Sequence, residues 1–316
     1  MDTSTGPKTL LEAVAYFSDP QVAHDFFVAQ RWPDGVTCPT CGSSEVAYMP
    51  QYRRWVCHEK HERRQFSAKV GSIFEDSPLG FDKWLPAMWM VLNCKNGVSS
   101  YEIGRALGIT QKSAWHMLHR LRLVMQTGTF MKLKGEVEVD ETYIGGAARF
   151  MHKKKLKGRK IGSRAISKTA VMGLLERHGP DGHSRVRAQV VQETKTRTLD
   201  PEVRRQVEPG AAIYTDALPS YRKLSDDYQH QVIDHAESYV RGKVHTNGLE
   251  NFWSLLKRAI KGTYVNVEPF HLFRYIDEQA FRFNERGHND GGRFLKAIRS
   301  TTGKRLMYKA LIAKPA

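Results

Sequence analysis

A cluster of cysteine and histidine residues near the N-terminus has the composition of a zinc site. Cys38 and Cys41 form a Cys-x2-Cys pair, and Cys57 and His61 follow with the spacing Cys-x3-His. Groups of four thiolates and imidazoles are the ligands of closed tetrahedral zinc sites. We therefore expect these four side chains to bind a structural Zn2+, with His58 as an alternative to His61. A redox-active pair is the other chemistry open to Cys-x2-Cys, but the thioredoxin-like strand and helix that it needs are not predicted here.

Acidic residues in the second half of the chain form a second candidate site. Glu138 and Asp140 share one face of the predicted strand EVEVDETYIGG, Asp216 ends the predicted strand AAIYTDA, and Glu250 lies in the first turn of a predicted helix. Each acid alone has an ordinary explanation: a solvated strand face, a turn aspartate, and a capping box formed by Asn247 and Glu250.

Asp140, Asp216 and Glu250 together permit a different chemistry. Three carboxylates on one sheet domain can hold two Mg2+ or Mn2+ ions about 3.5 to 4 Å apart. Such ions activate a water or a 3′-hydroxyl and stabilise the leaving oxygen of a phosphodiester. A catalytic trio therefore explains with one cause what the ordinary explanations need three causes to explain.

The charge balance indicates a polyanionic partner. The chain has 316 residues, of which 41% are hydrophobic, and 49 Lys plus Arg oppose 33 Asp plus Glu, for a net charge of +16. This excess favours nucleic acid over an acidic membrane surface. The longest apolar run, Trp84 to Asn93, is far shorter than the ~20 residues of a membrane-spanning helix, and the polar N-terminus lacks the features of a secretory signal. We therefore expect a cytoplasmic protein with no membrane partner.

Changes of pattern along the chain predict five regions. They are a helical lead-in (1–33), a strand-rich zinc ribbon (34–78), a helical domain (79–130), an α/β domain with a mixed sheet and flanking helices (131–290), and a C-terminal extension (291–316).

Basic residues in three places are candidate DNA contacts. In the helical domain, Ser99 with Glu102 makes a capping box, Gly108 supplies a turn, and Thr110 can cap a second helix, a spacing typical of a helix-turn-helix. Plain packing of two helices is the alternative. We expect the second helix to expose Gln111, Lys112, Ser113, His116 and Arg120. A second group is Lys153, Lys154 and Lys155, in a basic run whose alternative interpretation is a solvated loop. The third group is Lys257 and Arg258, on the same predicted helix as Glu250.

Five blocks of the sequence carry a family resemblance. The segments RWPDGVTCPTCGS, RRQFSAKVGSIFE, VDETYIGG, YTDALPSY and HTNGLENFWSLLKR resemble, in the same order, those of bacterial insertion-sequence transposases with a zinc ribbon and an ISXO-type DDE domain, relatives of the eukaryotic Merlin elements. One departure concerns the ribbon, because the family usually closes it with a second Cys-x2-Cys pair, whereas a histidine must substitute here.

The resemblance implies a fold and an activity. It implies a ribonuclease-H-like core in the α/β domain and divalent metal held by Asp140, Asp216 and Glu250. The spacing Asp140-x75-Asp216-x33-Glu250 is similar to the family pattern. His245 and Asn247 match the last block and would orient the third carboxylate or the DNA.

The implied partners are double-stranded terminal inverted repeats and target DNA. Synapsis of two element ends implies a homodimer or a larger assembly that acts at the bacterial nucleoid. Two alternatives remain open: a metal-dependent nuclease without joining activity, and a DNA-binding regulator derived from a transposase.

Overall fold

The computed structural model describes residues 6–126, 131–145, 168–179, 181–233 and 245–313. These residues form two compact units, one made of Met1–Gln126 with His288–Ala316 and the other of Thr127–Gly287. Within the described ranges, no helix combines the length and the apolar character that crossing a membrane requires. The predicted DNA contacts Lys153, Lys154 and Lys155 lie outside the described residues.

Helices and strands follow one another in a simple order along the chain. The first unit begins with α1 (Leu10–Phe17), α2 (Pro20–Arg31), β1 (Val46–Met49), β2 (Arg54–Cys57), β3 (Gln65–Ser67), α3 (Phe81–Asn93), α4 (Ser100–Leu107) and α5 (Gln111–Val124). The second unit contains β4 (Glu136–Ile144), β5 (Thr169–Glu176), β6 (Arg185–Val191), α6 (Thr196–Gln206), β7 (Ala212–Asp216), β8 (Gln229–Ile233), α7 (Asn247–Arg258) and α8 (Leu272–Asn284). The chain then returns to the first unit with α9 (Asp290–Arg299) and α10 (Tyr308–Ile312). Short 3-10 turns lie at Pro50–Tyr52, Pro219–Asp226 and Pro269–His271, and a π-helical turn, Ala259–Tyr264, extends α7.

Aromatic side chains build the core of the first unit. Phe27 of α2 stacks on Phe81 of α3 with ring centroids 4.5 Å apart, and Phe17 of α1 contacts Phe26 edge to face at 5.1 Å. Phe294 of α9 lies 5.6 Å from Phe17 and is itself buried. Residues from the end of the chain therefore complete the core that the N-terminal helices begin.

The predicted boundary between α4 and α5 is confirmed. Ser99 and Glu102 form the capping box at the start of α4, and Thr110 accepts a hydrogen bond at the start of α5. Gly108 ends α4 in the left-handed conformation, with φ of 64°, which a glycine adopts without the steric cost of a Cβ.

The predicted exposure of Gln111, His116 and Arg120 on α5 is wrong. Gln111 is half-buried, and its Nε2 donates to Ser100 Oγ at 2.8 Å. Arg120 is only 5% exposed, and its guanidinium donates to the carbonyl oxygen of Glu75. His116 is half-buried, with Nε2 3.4 Å from the carbonyl oxygen of Leu306, and burial lowers its pKa. The contacts of Arg120 and His116 come from residues distant in sequence, which the periodicity of one helix cannot reveal. Lys112 is exposed as expected.

The second unit is organised around a five-stranded mixed sheet, which confirms the α/β prediction. Its strand order is β6-β5-β4-β7-β8. The pairs β4–β5 and β5–β6 are antiparallel, whereas β4–β7 and β7–β8 are parallel. Strand β4 is therefore central and joins the antiparallel half to the parallel half.

Helices pack on both faces of this sheet. Val137 and Val139 of β4 belong to the cluster that contains Leu199 and Val203 of α6. On the other face, α7 and α8 pack over a separate apolar cluster. The ordinary explanation of this acidic face of β4, that it is open to solvent, is wrong for Glu138, because α7 covers this residue and it is 1% exposed.

Candidate functional site

Asp140 and Asp216 lie together because β7 pairs in parallel with β4 and ends beside Asp140. The register of β4 and β7 places Val139 opposite Thr215, and the next position on each strand is an aspartate. Asp216 also accepts a hydrogen bond from the backbone N–H of Leu218 at 3.2 Å. The turn interpretation of Asp216 is thus correct locally, and it does not prevent the side chain from joining a cluster.

A third carboxylate in this cluster belongs to Glu141. One ligand oxygen each from Asp140, Glu141 and Asp216 lies within 4.8 Å of the others, and all three residues are half-buried. Sequence reasoning missed Glu141. The available signal was its position directly after Asp140 in the sequence.

Burial and repulsion from neighbouring charges disfavour the charged forms of Asp140 and Glu141. Burial raises the pKa of Asp140 to about 6, the charges of Asp216 and Glu250 add to the rise, and a hydrogen bond from Trp253 opposes it. Burial and the charges of Asp216 and Asp140 raise the pKa of Glu141 to about 9. Glu141 Oε1 is also buried without a hydrogen-bond partner among the described residues. The cluster therefore favours a bound proton or cation over three bare negative charges.

Glu250 lies near this cluster but outside the group of three ligand oxygens. It is exposed in the first turn of α7, as predicted, and its charge acts on the pKa of Asp140. The structure thus brings Asp140 and Asp216 into one cluster and places Glu250 on the helix beside it.

The predicted capping box at the start of α7 is wrong. Asn247 is the first helical residue and is exposed, while Thr246 occupies the N-cap position without a side-chain hydrogen bond to the helix. The acceptor comes instead from β4, since Glu138 Oε2 accepts from the backbone N–H of Leu249 at 2.9 Å. A strand carboxylate therefore satisfies one of the amide groups that a helix start leaves free.

Arg177 connects this carboxylate to His245. Its Nε donates to Glu138 Oε1 at 2.7 Å, and its Nη2 donates to the carbonyl oxygen of His245 at 2.6 Å. The side chains of Glu138 and Arg177 are 1% and 9% exposed. A Cβ on Gly248 would lie 2.9 Å from Glu138 Oε2, so the close approach requires glycine. His245 lies in this network, whereas Asn247 points to solvent.

The four predicted zinc ligands lie together in the first unit. Cys38 Sγ is 3.4 Å from His61 Nε2, Cys41 Sγ is 3.6 Å from Cys57 Sγ, and all four ligand atoms lie within 4.8 Å of one another. His58 is exposed and outside this group. Three thiols and one imidazole at these distances have the donor set of a structural zinc site.

A cleft of about 840 Å3 lies beside the zinc ribbon. Its lining includes acidic side chains, but its most exposed cations are four arginines that sequence reasoning did not single out: Arg53, Arg54, Arg63 and Arg64. Tyr52, which is 65% exposed, lines the same cleft. Arginines beside an exposed aromatic ring can contact phosphates and bases.

Comparison with known families agrees with this arrangement. Residues 18–60 match the transposase zinc-ribbon domain, and residues 132–284 match the ISXO2-like transposase domain. The first match contains the three cysteines of the metal cluster. The second contains Glu138, Asp140, Glu141, Asp216 and Glu250. The chain belongs to the insertion-sequence transposase family that combines a zinc ribbon with an ISXO2-like domain.

Two relatives have names that refer to a transposable element or a transposase. The chain is 27% identical over 240 residues to an uncharacterized protein in transposable element ISH50 of Halobacterium salinarum, covering 72% of this chain and 79% of that protein. It is 31% identical over 96 residues to an uncharacterized transposase-like protein of Haemophilus influenzae, covering 30% of this chain and 77% of that protein.

Removal of one imidazole distinguishes the two candidate zinc ligands. His61→Ala is expected to lose Zn2+ to a competing chelator at a concentration that leaves the wild type loaded, because a closed site needs all four donors. His58→Ala is the matched control and should keep one equivalent of zinc, measured by elemental analysis after dialysis. The reverse result would show that His58 is the ligand.

Loss of the Glu138 carboxylate should destabilise the second unit strongly. Glu138→Leu removes the carboxylate that Arg177 contacts and the acceptor of the Leu249 N–H, and we expect it to lower the free energy of unfolding by about 3–5 kcal/mol. Urea denaturation followed by circular dichroism measures the change. Glu202→Ala, which breaks the exposed pair with Arg205 on α6, should cost at most about 1 kcal/mol. Equal effects would contradict the buried-pair assignment.

Proposed function

We propose that this family member is a DNA transposase that cleaves terminal inverted repeats and joins them to target DNA with Asp140, Asp216 and Glu250. The observation that carries the proposal is the pair of aspartates at matching positions of two parallel strands. Asp216 lies at the carboxyl end of β7, and Asp140 lies where the parallel pairing of β4 with β7 stops. The carboxyl end of a parallel pair is where open α/β sheets place their ligands.

The sheet supports a ribonuclease-H-like core for this chemistry. An antiparallel set β4–β6 continues into two parallel strands, with helices on both faces. We assign the zinc ribbon to residues 34–78, the helical DNA-binding domain to 79–130, and the catalytic core to 131–290, between the lead-in 1–33 and the extension 291–316.

The acidic cluster fits a divalent metal ion. Its carboxylates converge within 4.8 Å, the pKa values of Asp140 and Glu141 are raised, and Glu141 Oε1 is buried without a hydrogen-bond partner in the described part of the chain. Oxygen ligands and negative charge suit Mg2+ or Mn2+. When bound, two such ions activate the attacking hydroxyl and stabilise the leaving oxygen.

Each carboxylate has a distinct place in this proposal. Asp140 lies between the other two acids, since the charges of both Asp216 and Glu250 act on it. Asp140 would be the ligand shared by two metal ions, and Asp216 and Glu250 would each contribute to one of the two sites. Glu141 is a second candidate for the third carboxylate, because its oxygen already lies in the cluster, while Glu250 stands at the position that matches the family motif.

The proposed reaction has two displacements at phosphorus. Water attacks the phosphodiester at the element end, the bond to the 3′-oxygen breaks, and a 3′-hydroxyl and a 5′-phosphate result. That 3′-hydroxyl then attacks a target phosphodiester, displacing the target's own 3′-oxygen. The attacking and leaving oxygens lie in line, so no covalent bond to the protein forms.

DNA recognition would use both units. In the first unit, α4 and α5 form a helix-turn-helix with Lys112 exposed, and the ribbon cleft presents its arginines. In the second unit, the last turn of α7 carries Lys257 and the exposed Arg258. Synapsis of two element ends requires a homodimer or a larger assembly on DNA, which we place in the bacterial cytoplasm at the nucleoid.

Neutral replacements of the three acids test catalysis. We expect Asp140→Asn, Asp216→Asn and Glu250→Gln each to abolish cleavage and strand transfer while DNA binding and folding stay near those of the wild type. The assay uses Mg2+ or Mn2+, a labelled terminal-repeat duplex and a plasmid target. Cleavage without joined products would indicate a nuclease, and specific binding without either would indicate a regulator.

A parallel pair of variants identifies the third carboxylate. Glu250→Gln should abolish turnover. Glu141→Gln should retain turnover, because in this proposal Glu141 is not the third metal ligand. The same two variants are compared for Mn2+ affinity by electron paramagnetic resonance. Loss of both turnover and Mn2+ binding in Glu141→Gln, with normal behaviour of Glu250→Gln, would move the third role to Glu141.

Salt dependence tests the phosphate contacts. Lys257→Ala should weaken binding about equally for specific and non-specific duplexes and reduce the slope of log K against log salt by about 1. Lys257→Arg keeps the charge and should keep the slope. Fluorescence anisotropy over a range of salt concentrations measures both. An unchanged slope in Lys257→Ala would show that this lysine does not contact phosphate.

A further inference from the structure

We propose that the indole N–H of Trp253 is the group that orients Asp140 for metal binding. Trp253 Nε1 donates to Asp140 Oδ2 at 2.8 Å, and the tryptophan is 4% exposed. This inference rests on the proposed function, because Asp140 is the carboxylate that two metal sites would share. Trp253 does not contact the reacting atoms and is therefore a positioning residue.

Helix α7 delivers Trp253 and Glu250 to the same carboxylate. The two residues are three apart, so they lie on one face of the helix. Trp253 contacts Asp140 directly, and the charge of Glu250 acts on it. The sequence E-x-x-W at the start of α7 thus couples a candidate metal ligand to the group that holds its partner carboxylate.

The sheet leaves space for this indole at one glycine. Gly173 of β5 is paired with Asp140 of β4. A Cβ on Gly173 would lie 2.6 Å from Cζ2 of Trp253 and 2.9 Å from Cδ2 of Leu249, which is too close for any side chain. The indole can therefore reach Asp140 only because the neighbouring strand carries no side chain at that position.

The chemistry of the indole makes it suitable for this role. The indole N–H is a donor only, so it donates to Oδ2 of Asp140 and does not compete for a cation. The other carboxylate oxygen of Asp140 can then bind the metal ion. A hydrogen bond to one oxygen of a ligating carboxylate fixes the orientation of the other oxygen. Loss of such a supporting partner commonly lowers metal affinity or activity 10–100-fold.

The Trp253→Phe variant of the full-length protein removes the donor and keeps an aromatic ring. We expect its Kd for Mn2+, measured by electron paramagnetic resonance on the zinc-loaded protein, to rise about 10-fold or more. Leu256→Val is the matched control, because it disturbs the packing of the same helix and leaves the donor in place. A Kd within twofold of wild type in Trp253→Phe, or an equal loss in Leu256→Val, would overturn the proposal.

Gly173→Ala tests the same contact without changing the tryptophan. The added methyl group must displace the indole, so this variant should reproduce the loss of Mn2+ affinity. Normal affinity with a displaced indole would overturn the proposal.

The indole N–H of Trp253 also gives its own signal in a 1H–15N NMR spectrum. The chain has six tryptophans, and the indole signal absent from the spectrum of Trp253→Phe identifies Trp253. In the wild type this signal should shift on titration with Mg2+, and in Asp140→Asn it should not. If Mn2+ binding depends on Asp140 but the Trp253 signal does not shift with Mg2+, the role of Trp253 is overturned and the proposed function is not. Absence of Asp140-dependent metal binding in the wild type would overturn the proposed function as well.

Discussion

The hydrogen bond from the Leu249 N–H to the carboxylate of Glu138 determines how the second unit is built around its acidic cluster. Glu138 lies two residues before Asp140 on the same face of β4, and Leu249 lies one residue before Glu250. One contact therefore fixes the first turn of α7 relative to the strand that carries the central aspartate. Arg177 makes this burial of charge tolerable by contacting the same carboxylate. Apolar packing alone would permit α7 to shift along β4, whereas a charge-assisted hydrogen bond fixes one position of the helix relative to the strand.

The acidic cluster opposes folding locally, and the layers on either side of the sheet offset that cost. Desolvation disfavours the charged forms of Asp140 and Glu141, and repulsion from Asp216 adds to the effect. The strand that carries them also contributes fully buried Val137 and Val139 to the cluster beneath α6. Alternation along β4 thus places stabilising side chains on one face and Asp140 of the candidate site on the other. An electrostatic cost of this kind, offset by consistent packing elsewhere, is expected of the active site that we propose.

Local patterns predicted the elements well and the contacts between them poorly. The period-2 pattern of β4 predicted that Glu138 and Asp140 share a face, and the Ser99–Glu102 signature predicted the start of α4, because both depend on neighbouring residues. The burial of Arg120, by contrast, depends on Glu75, and the cap of α7 depends on Glu138, 111 residues before Leu249. No spacing within a helix encodes such partners. The zinc cluster was predictable in composition, but the choice of His61 over His58 required the fold of the ribbon.

The unequal lengths of β4 and β7 explain why Glu141 joins the cluster, although strict alternation along β4 would place its side chain on the face opposite to Asp140. Strand β7 pairs with β4 from Glu136 to Val139 and ends at Asp216, whereas β4 continues to Ile144 paired with β5 alone. Beyond Asp140, one side of β4 therefore has no neighbouring strand among the described residues. Side chains at this point can turn into the space that β7 leaves, so the face rule that holds at Val137 and Val139 no longer separates Asp140 from Glu141. The crevice at the carboxyl end of a parallel pair thus arises from unequal strand lengths, and the same inequality concentrates three carboxylates there.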